Sequence, residues 1–448
     1  MTPIDDLLCR FDDAPGRPAI VWRDQTTTYG ELRAHVEQSG RQLQALGCAG
    51  AVVCLAADFS PAAIGLLIAL WRSNNTVALM TNRNAEQGQE LAALTQAQWL
   101  VECDGDGPAR WQRRPATATH PLLRQLTQEG EPGLVIFSSG TTGQPKASVH
   151  RVLPLLRRHT RPKRCLTSIA FLLFDHIGGL NALCYVLFNG GKLVIPASRQ
   201  PFDVARAIAA HRVQALTTSP TFINFLLLSG AARQHDLRSL EVINYSSEPM
   251  PDSALQALHR LLPDTRLSQS YGLTETGVIP ARSESSRSTR LALGDAGCQV
   301  RIVDGMLEIK SNTTMLGYIN AASPFTDDGY FKTGDMAVRD GEFYRILGRR
   351  SDLINVGGQK VFPSEIENVL RTLPNVADVV VGHEKHAIAG NLIKATFTLS
   401  SPEPLDQFKA RLYQRCGELL EPFQIPRKVL LATAPLHTER FKKDRKLA

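Results

Sequence analysis

The chain has 448 residues, 43% of them hydrophobic and 21% charged, which are the proportions of an ordinary globular protein with room for two or three domains. Its longest apolar run, residues 62–71, is about half of what a bilayer span requires, and no signal-like start precedes it, so a cytoplasmic protein without a membrane span is expected. A net charge of +7 and a pI near 9.0 suit an anionic partner, but the basic clusters at 151–164 and 440–446 are not interleaved with aromatics, which favours phosphorylated cosubstrates over nucleic acid. The eight cysteines are scattered and none lies at Cys-x-x-Cys spacing, so neither a zinc site nor a disulfide framework is suggested.

From residue 51 onward, strand-like and helix-like segments alternate. A strand at 51–56 precedes a helical pattern at 61–71. Strands at 192–195, 214–218 and 240–245 are followed by helical patterns at 203–211, 221–228 and 252–262. This alternation predicts an α/β fold of mostly parallel sheets covered by helices. Residues 105–120 lack periodicity and read as a surface connection. After Asp295, short β segments at 300–303 and 307–310 predict a small β subdomain. Beyond Gly348 come a strand at 353–356, a helix starting at Ser364 with Glu367 three residues on as its capping partner, strands at 377–382 and 392–399, and a helix at 405–420. These form a small α+β unit of about a hundred residues. The expected division is 1–349 and 350–448.

Five stretches carry chemistry. In IFSSGTTGQPKASVH (136–150) an apolar strand feeds Ser138, Ser139, Gly140, Thr141, Thr142 and Gly143, followed by Lys146. Hydroxyls, uncrowded N–H groups and an ammonium make a cradle for a polyanion. Pro145 before the lysine and Ala147 after it set this loop apart from the usual Gly-Lys-Ser/Thr phosphate loop. In SQSYGLTETG (268–277), Tyr271 offers a flat face for a base, Gly272 a tight turn, Thr274 a hydroxyl for phosphate and Glu275 a hard oxygen ligand for magnesium. Asp335, behind Gly334, is suited to accept hydrogen bonds from a ribose diol. Residues 348–367 contribute Arg349 and the pair Gly357–Gly358, and TERFKKDRKL (438–447) contributes a terminal lysine.

In this order the motifs resemble the adenylate-forming (ANL) superfamily of acyl-CoA synthetases, aryl-CoA ligases, peptide-synthetase adenylation domains and luciferases. The resemblance runs from TYGEL (28–32) to the final residues. It implies a large domain, 1–349, that binds ATP and the acyl group, and a small mobile domain, 350–448, that carries a catalytic lysine. The family pattern Thr-x-x-Gly-Lys-x-x-Arg maps that lysine onto Lys442, with Thr438 and Arg445 in register and Phe441 in place of the glycine. Ser351 and Asn355 also depart from common family residues.

The resemblance further implies that residues 138–146 hold the β- and γ-phosphates of ATP and that Thr274 and Glu275 serve phosphate and Mg2+. Tyr271, Gly272, Asp335 and Arg349 would hold the nucleoside. Gly357 and Gly358 would border the thiol tunnel, and Ser246, Ser247 and Glu248 the adenylate. His176, in FDHIGGLNAL (174–183), would stand at the mouth of the acyl pocket, with Gly178, Gly179, Asn181 and Thr218 leaving room for the acyl group. The implied reaction activates an aryl or fatty carboxylic acid to an acyl-adenylate with pyrophosphate release. The acyl group then passes to CoA or to the phosphopantetheine of an acyl-carrier protein. An amino-acid adenylating enzyme and a non-catalytic acyl-nucleotide sensor are the alternatives, and the oligomeric state is left open.

Overall fold

The structure, a computed structural model, describes residues 1–81, 84–105, 107–138, 144–386, 390–433, 436–438 and 443. Two seven-stranded sheets dominate the larger region. In the first, Val52–Ala57 lies between Thr76–Met80 and Trp99–Cys103, all parallel; Gly133–Ser138 extends the sheet in parallel beyond Thr76–Met80, and Lys146–Arg151 turns back antiparallel. In the second, Arg266–Gln269, Val242–Tyr245, Ala215–Thr218, Thr167–Ile169, Lys192–Ile195 and Pro18–Trp22 run parallel, and Gln25–Thr28 closes one edge antiparallel.

The apolar character of the helices explains how the sheets stack. Pro61–Arg72 is apolar all round, and ten of its residues are buried. A helix of that kind needs cover on every side. It shares one core with Val53 and Leu55 of the first sheet, Ile20 and Leu193 of the second, and the equally apolar helix Ile177–Phe188. The Ser60 hydroxyl caps it by accepting from the Ala63 N–H at 3.1 Å, and Pro61 occupies the first turn, where no N–H is needed. A second core joins the other face of the second sheet to Pro201–His211, Pro220–Leu228 and Asp252–Leu261.

A six-stranded antiparallel sheet follows, in which Phe331–Asp340 pairs with both Met306–Ser311 and Phe343–Arg349. The 3-10 turn Arg350–Asp352 then leads to the C-terminal region. There Val376–His386, Gly390–Leu399 and Lys428–Leu431 form a sheet that shares a core with Pro363–Leu370 and Leu405–Leu419.

Two expectations are corrected. Residues 105–120 are not wholly irregular: Arg110–Arg113 pairs antiparallel with Trp99–Cys103, fixed by an Arg110–Glu102 ion pair at 3.0 Å and an edge contact between Trp99 and Trp111. Cross-strand partners, which no local pattern reveals, hold this strand. The helix expected from Ser364 begins at Pro363. Its cap comes from Glu365, whose carboxylate accepts from the Phe362 N–H at 3.3 Å, while the Ser364 hydroxyl donates to the Leu347 carbonyl. Glu367, expected as the capping residue, points inward and is 3% exposed.

Candidate active site

The carboxyl ends of parallel strands are where α/β sheets place ligands. The ends of Val242–Tyr245 and Arg266–Gln269 lead into Ser246–Ser247–Glu248 and Ser270–Tyr271–Gly272, which border a cleft of about 410 Å3. Asp335 and Arg349 form another wall, and Phe362, Glu367 and Lys443 face them from the C-terminal region. Ser247 sits in the left-handed region at φ 79, which aims the turn across the strand ends.

Pairing of Phe331–Asp340 with Phe343–Arg349 sets Asp335 directly opposite Arg349. The Asp335 Oδ1 lies 2.7 Å from Arg349 Nε, and its Oδ2 accepts from the Tyr271 hydroxyl. Arg349 Nη1 also donates to the Thr333 carbonyl at 3.0 Å, and the Thr333 hydroxyl accepts from the Asp335 N–H at 3.0 Å. Burial pushes the Asp335 carboxyl above its ordinary range, against the pull of Arg349 and the Tyr271 hydroxyl. Burial and the adjacent carboxylate raise the Tyr271 phenol well above its ordinary value. Desolvation works against the Arg349 charge, but Asp335 holds the guanidinium above its ordinary value. The three groups form a preoriented carboxylate. Each oxygen takes one protein donor and has a lone pair left for an incoming hydroxyl.

A second cluster stands nearby. The strand Gly317–Tyr318 pairs with Lys146–Arg151, so Tyr318 comes beside Lys146, whose Nζ is 5.3 Å from the Tyr318 ring centre. The Tyr318 hydroxyl donates to Glu275 Oε1 at 2.6 Å. The Glu275 carbonyl in turn accepts from the Met315 N–H at 2.7 Å, which fixes the turn. Glu275 is close enough to act electrostatically on both Asp335 and Arg349. Among the described residues no group of three His, Cys, Asp or Glu side chains gathers as a metal site. A single carboxylate suits Mg2+, which keeps waters and phosphate oxygens as most of its ligands.

The AMP-binding enzyme family profile matches residues 10–331, and that of the AMP-binding enzyme C-terminal domain matches 365–442. The chain belongs to the AMP-binding enzyme family. It is 30% identical to the indoleacetate–CoA ligase of Aromatoleum aromaticum over 280 residues, 56% of this chain and 54% of that one. It therefore spans about half the length of that relative. It is 28% identical over 472 residues to the 2-succinylbenzoate–CoA ligase of Bacillus licheniformis, covering 93% of each chain. Its fold matches that of an anthranilate CoA ligase in complex with anthranoyl-AMP at a TM-score of 0.84 and 19% identity, over 100% of this chain and 96% of that one.

In this AMP-binding enzyme the structure gathers Ser246, Ser247, Glu248, Tyr271, Gly272, Asp335 and Arg349 at one cleft. Ser138 and Lys146 pair across the hairpin, with Lys146 over the ring of Tyr318, whose hydroxyl donates to Glu275. Thr274 lies half-buried in the turn between Gly272–Leu273 and Gly277–Val278, a turn closed by the Thr276 hydroxyl accepting from the Leu273 N–H. Ser139, Gly140, Thr141, Thr142, Gly143 and Lys442 lie outside the described residues.

Other expected residues have local structural duties. His176 caps the helix Ile177–Phe188, its Nδ1 accepting from the Gly178 N–H at 3.0 Å, and is not among the residues lining the cleft. A Cβ at Gly179 would meet the Leu173 carbonyl oxygen at 2.2 Å, so this glycine admits a close backbone crossing. Gly357 and Gly358, with φ of 57 and 89, form the turn of the hairpin Ile354–Val356/Gln359–Val361 and are not among the residues lining the cleft. The Glu248 carboxylate is spent on protein contacts, accepting from the Thr221 hydroxyl at 2.6 Å and from the Lys443 N–H at 2.7 Å.

Two site residues carry no clear sequence signal. Tyr318 sits in an isolated Gly-Tyr that reads as a turn. Lys443 stands in a basic stretch where the family pattern gives weight to its neighbour. Its side chain is only 12% exposed; it pairs with Glu367 and donates to the Val379 carbonyl at 3.1 Å. Desolvation lowers its ammonium from the ordinary lysine value, against the pull of Glu367.

Proposed function

We propose that the protein activates an aryl carboxylic acid with ATP to an acyl-adenylate, releasing pyrophosphate, and passes the acyl group to CoA. The observation that carries this reading is the Tyr271–Asp335–Arg349 carboxylate in a cleft faced by the lysine-bearing tail, within an AMP-binding enzyme. The chain is an AMP-forming acid–thiol ligase that works with ATP, Mg2+ and CoA. The aryl class is supported by its relatives, named for indoleacetate and 2-succinylbenzoate.

In the first step a carboxylate oxygen attacks the α-phosphorus and the bond to the bridging oxygen of the β-phosphate breaks, so pyrophosphate leaves with the electron pair. Two like charges about 4 Å apart repel by roughly 4 kcal/mol at an effective dielectric near 20. Lys442 supplies the cation between them, while Lys146 and the hydroxyl-rich loop hold the departing phosphates. Glu275 is the residue that would hold Mg2+, which neutralises phosphate charge when bound. Asp335 accepts from the ribose hydroxyls, and Tyr271 and Arg349 keep its carboxylate oriented. In the second step the thiol sulfur, its proton lost, attacks the acyl carbon, and the carbon–oxygen bond to AMP breaks. Rotation of residues 350–448 about the turn at 350–352 separates the two steps. All eight cysteines are free, which suits a reducing cytoplasm.

Pyrophosphate release on mixing the protein with ATP, Mg2+ and a panel of aryl, fatty and amino acids tests the reading, and mass spectrometry with CoA or a carrier protein identifies the acceptor. No release with any acid would instead mark a nucleotide-binding sensor. Lys442→Ala is expected to abolish adenylate formation and to spare thioester formation from supplied acyl-AMP. Equal loss of both half-reactions would move the role elsewhere.

A further inference from the structure

A second cavity, about 1650 Å3, lies beside the cleft, and Ser270 borders both. It opens on the face of the second sheet turned away from the outer helices. Successive strand residues alternate faces: Leu216 and Ile243 pack into the outer-helix core, while Thr217, Asn244 and Ser268, with Ala215 and Val242 on the same face, line the cavity. The lining mixes these polar groups with apolar ones such as Val242 and Ile279, and leaving the polar groups unpaired against a purely apolar ligand is costly. The cavity holds six cationic side chains against two carboxylates, Glu284 and Asp295, so it is an anion-attracting space.

Arg158 is the most telling of the six. It lies in the wall, half-buried, and donates through Nη1 to the Val278 carbonyl. Among the described residues no carboxylate stands within ion-pair distance of it, and Asp295 acts on it only at longer range. By contrast Arg282, at another edge of the same cavity, is paired with Glu342 at 3.0 Å. Desolvation bears on the Arg158 guanidinium. A guanidinium in that position gains most from an anion that its planar fork can hold in two parallel hydrogen bonds.

We propose that the acid activated by this enzyme carries a second anionic group, a carboxylate in class, and that Arg158 holds it in this cavity while the reacting carboxylate reaches the cleft past Ser270. The inference rests on the adenylating function proposed above and names its substrate class. Arg158 is thus a specificity-determining residue, and it takes no part in the bond changes.

The test measures pyrophosphate release without CoA, so that CoA phosphates cannot act as the anion, using aryl diacids and their matched monomethyl esters. The wild type is expected to favour each diacid at least tenfold in kcat/KM. Arg158→Gln should shrink that ratio toward one, mainly through KM for the diacid, and Arg158→Lys should recover part of it. Arg266→Gln, at the exposed rim of the cavity, should lower the ratio a few-fold and is the second variant if Arg158→Gln disturbs folding. Equal use of diacid and ester by the wild type, or an Arg158→Gln effect confined to KM for CoA in the thioester step, overturns the proposal and leaves adenylation standing. No release with any acid overturns adenylation and this inference together.

Discussion

Asp335 shows how much of a binding site depends on its supports. Its carboxylate is 6% exposed as a residue and is held by one phenol and one guanidinium. Tyr271→Phe removes the phenolic donor and leaves a buried oxygen short of a partner, at about 1–3 kcal/mol. Thermal unfolding should detect that loss. The carboxylate would also be free to swing toward Arg349, so KM for ATP in pyrophosphate release should rise roughly tenfold, a loss of about 1.4 kcal/mol in nucleotide binding; an unchanged KM would show that ribose is held elsewhere. The sequence motif singles out both Tyr271 and Asp335 but does not reveal that they touch, because they are 64 positions apart and only the packing of Tyr271 into the core of the antiparallel sheet that carries Asp335 brings them within reach.

At the scale of the element, the helix Pro363–Leu370 has a second task besides packing. Its Glu367 takes Lys443, so a short basic segment of the tail is tied to the C-terminal sheet. Breaking a buried ion pair from one side leaves an uncompensated charge, at about 3–5 kcal/mol. Glu367→Gln should therefore loosen the tail and slow adenylation more than thioester formation from supplied acyl-AMP, because Lys442 is the next residue along. Equal slowing of the two half-reactions would reduce the pair to a structural role. Another element-level prediction concerns the start of Ile177–Phe188. Gly179→Ala should lower the unfolding midpoint by several degrees, since the added carbon meets backbone and not a flexible side chain. Elements with a long apolar run or a clear period, such as Pro61–Arg72 and Leu405–Leu419 respectively, are legible in the sequence to within a residue or two. The strand Arg110–Arg113 is not, because its partners lie outside its own segment. His176 and Gly179 are conspicuous in sequence for a functional reason that resemblance supplies, while the geometry gives each a local structural duty as well.

For the molecule as a whole, pH acts through two buried histidines, His150 against the Thr274 backbone and His159 in the wall of the second cavity. Burial holds the imidazole of His150 down to about 4 and that of His159 down to about 3. Both are depressed in the folded chain relative to an unfolded value near 6.5, so the unfolded state binds more protons as pH falls. Their contribution is fully present above pH 6.5 and is lost progressively on acidification toward 4 and below, on the order of 3 kcal/mol for His150. Unfolding midpoints measured from pH 7 to pH 5 should fall, and His150→Gln, though less stable at pH 7, should fall less over the same range. A parallel decline in the variant would assign the acid sensitivity to other groups.

The placement of Pro61–Arg72 has a mechanical meaning. A greasy rod clamped between two sheets welds them into a block that has no plane along which to shear, whereas the C-terminal layer meets that block through surface contacts such as the Asn224 side chain on the Ala377 carbonyl, Glu248 on the Lys443 N–H and the ring pair Phe225–His437. Calorimetry should resolve two heat-absorption peaks, an early one for the C-terminal layer and a later one for the block. Nucleotide that bridges the two should draw the peaks together.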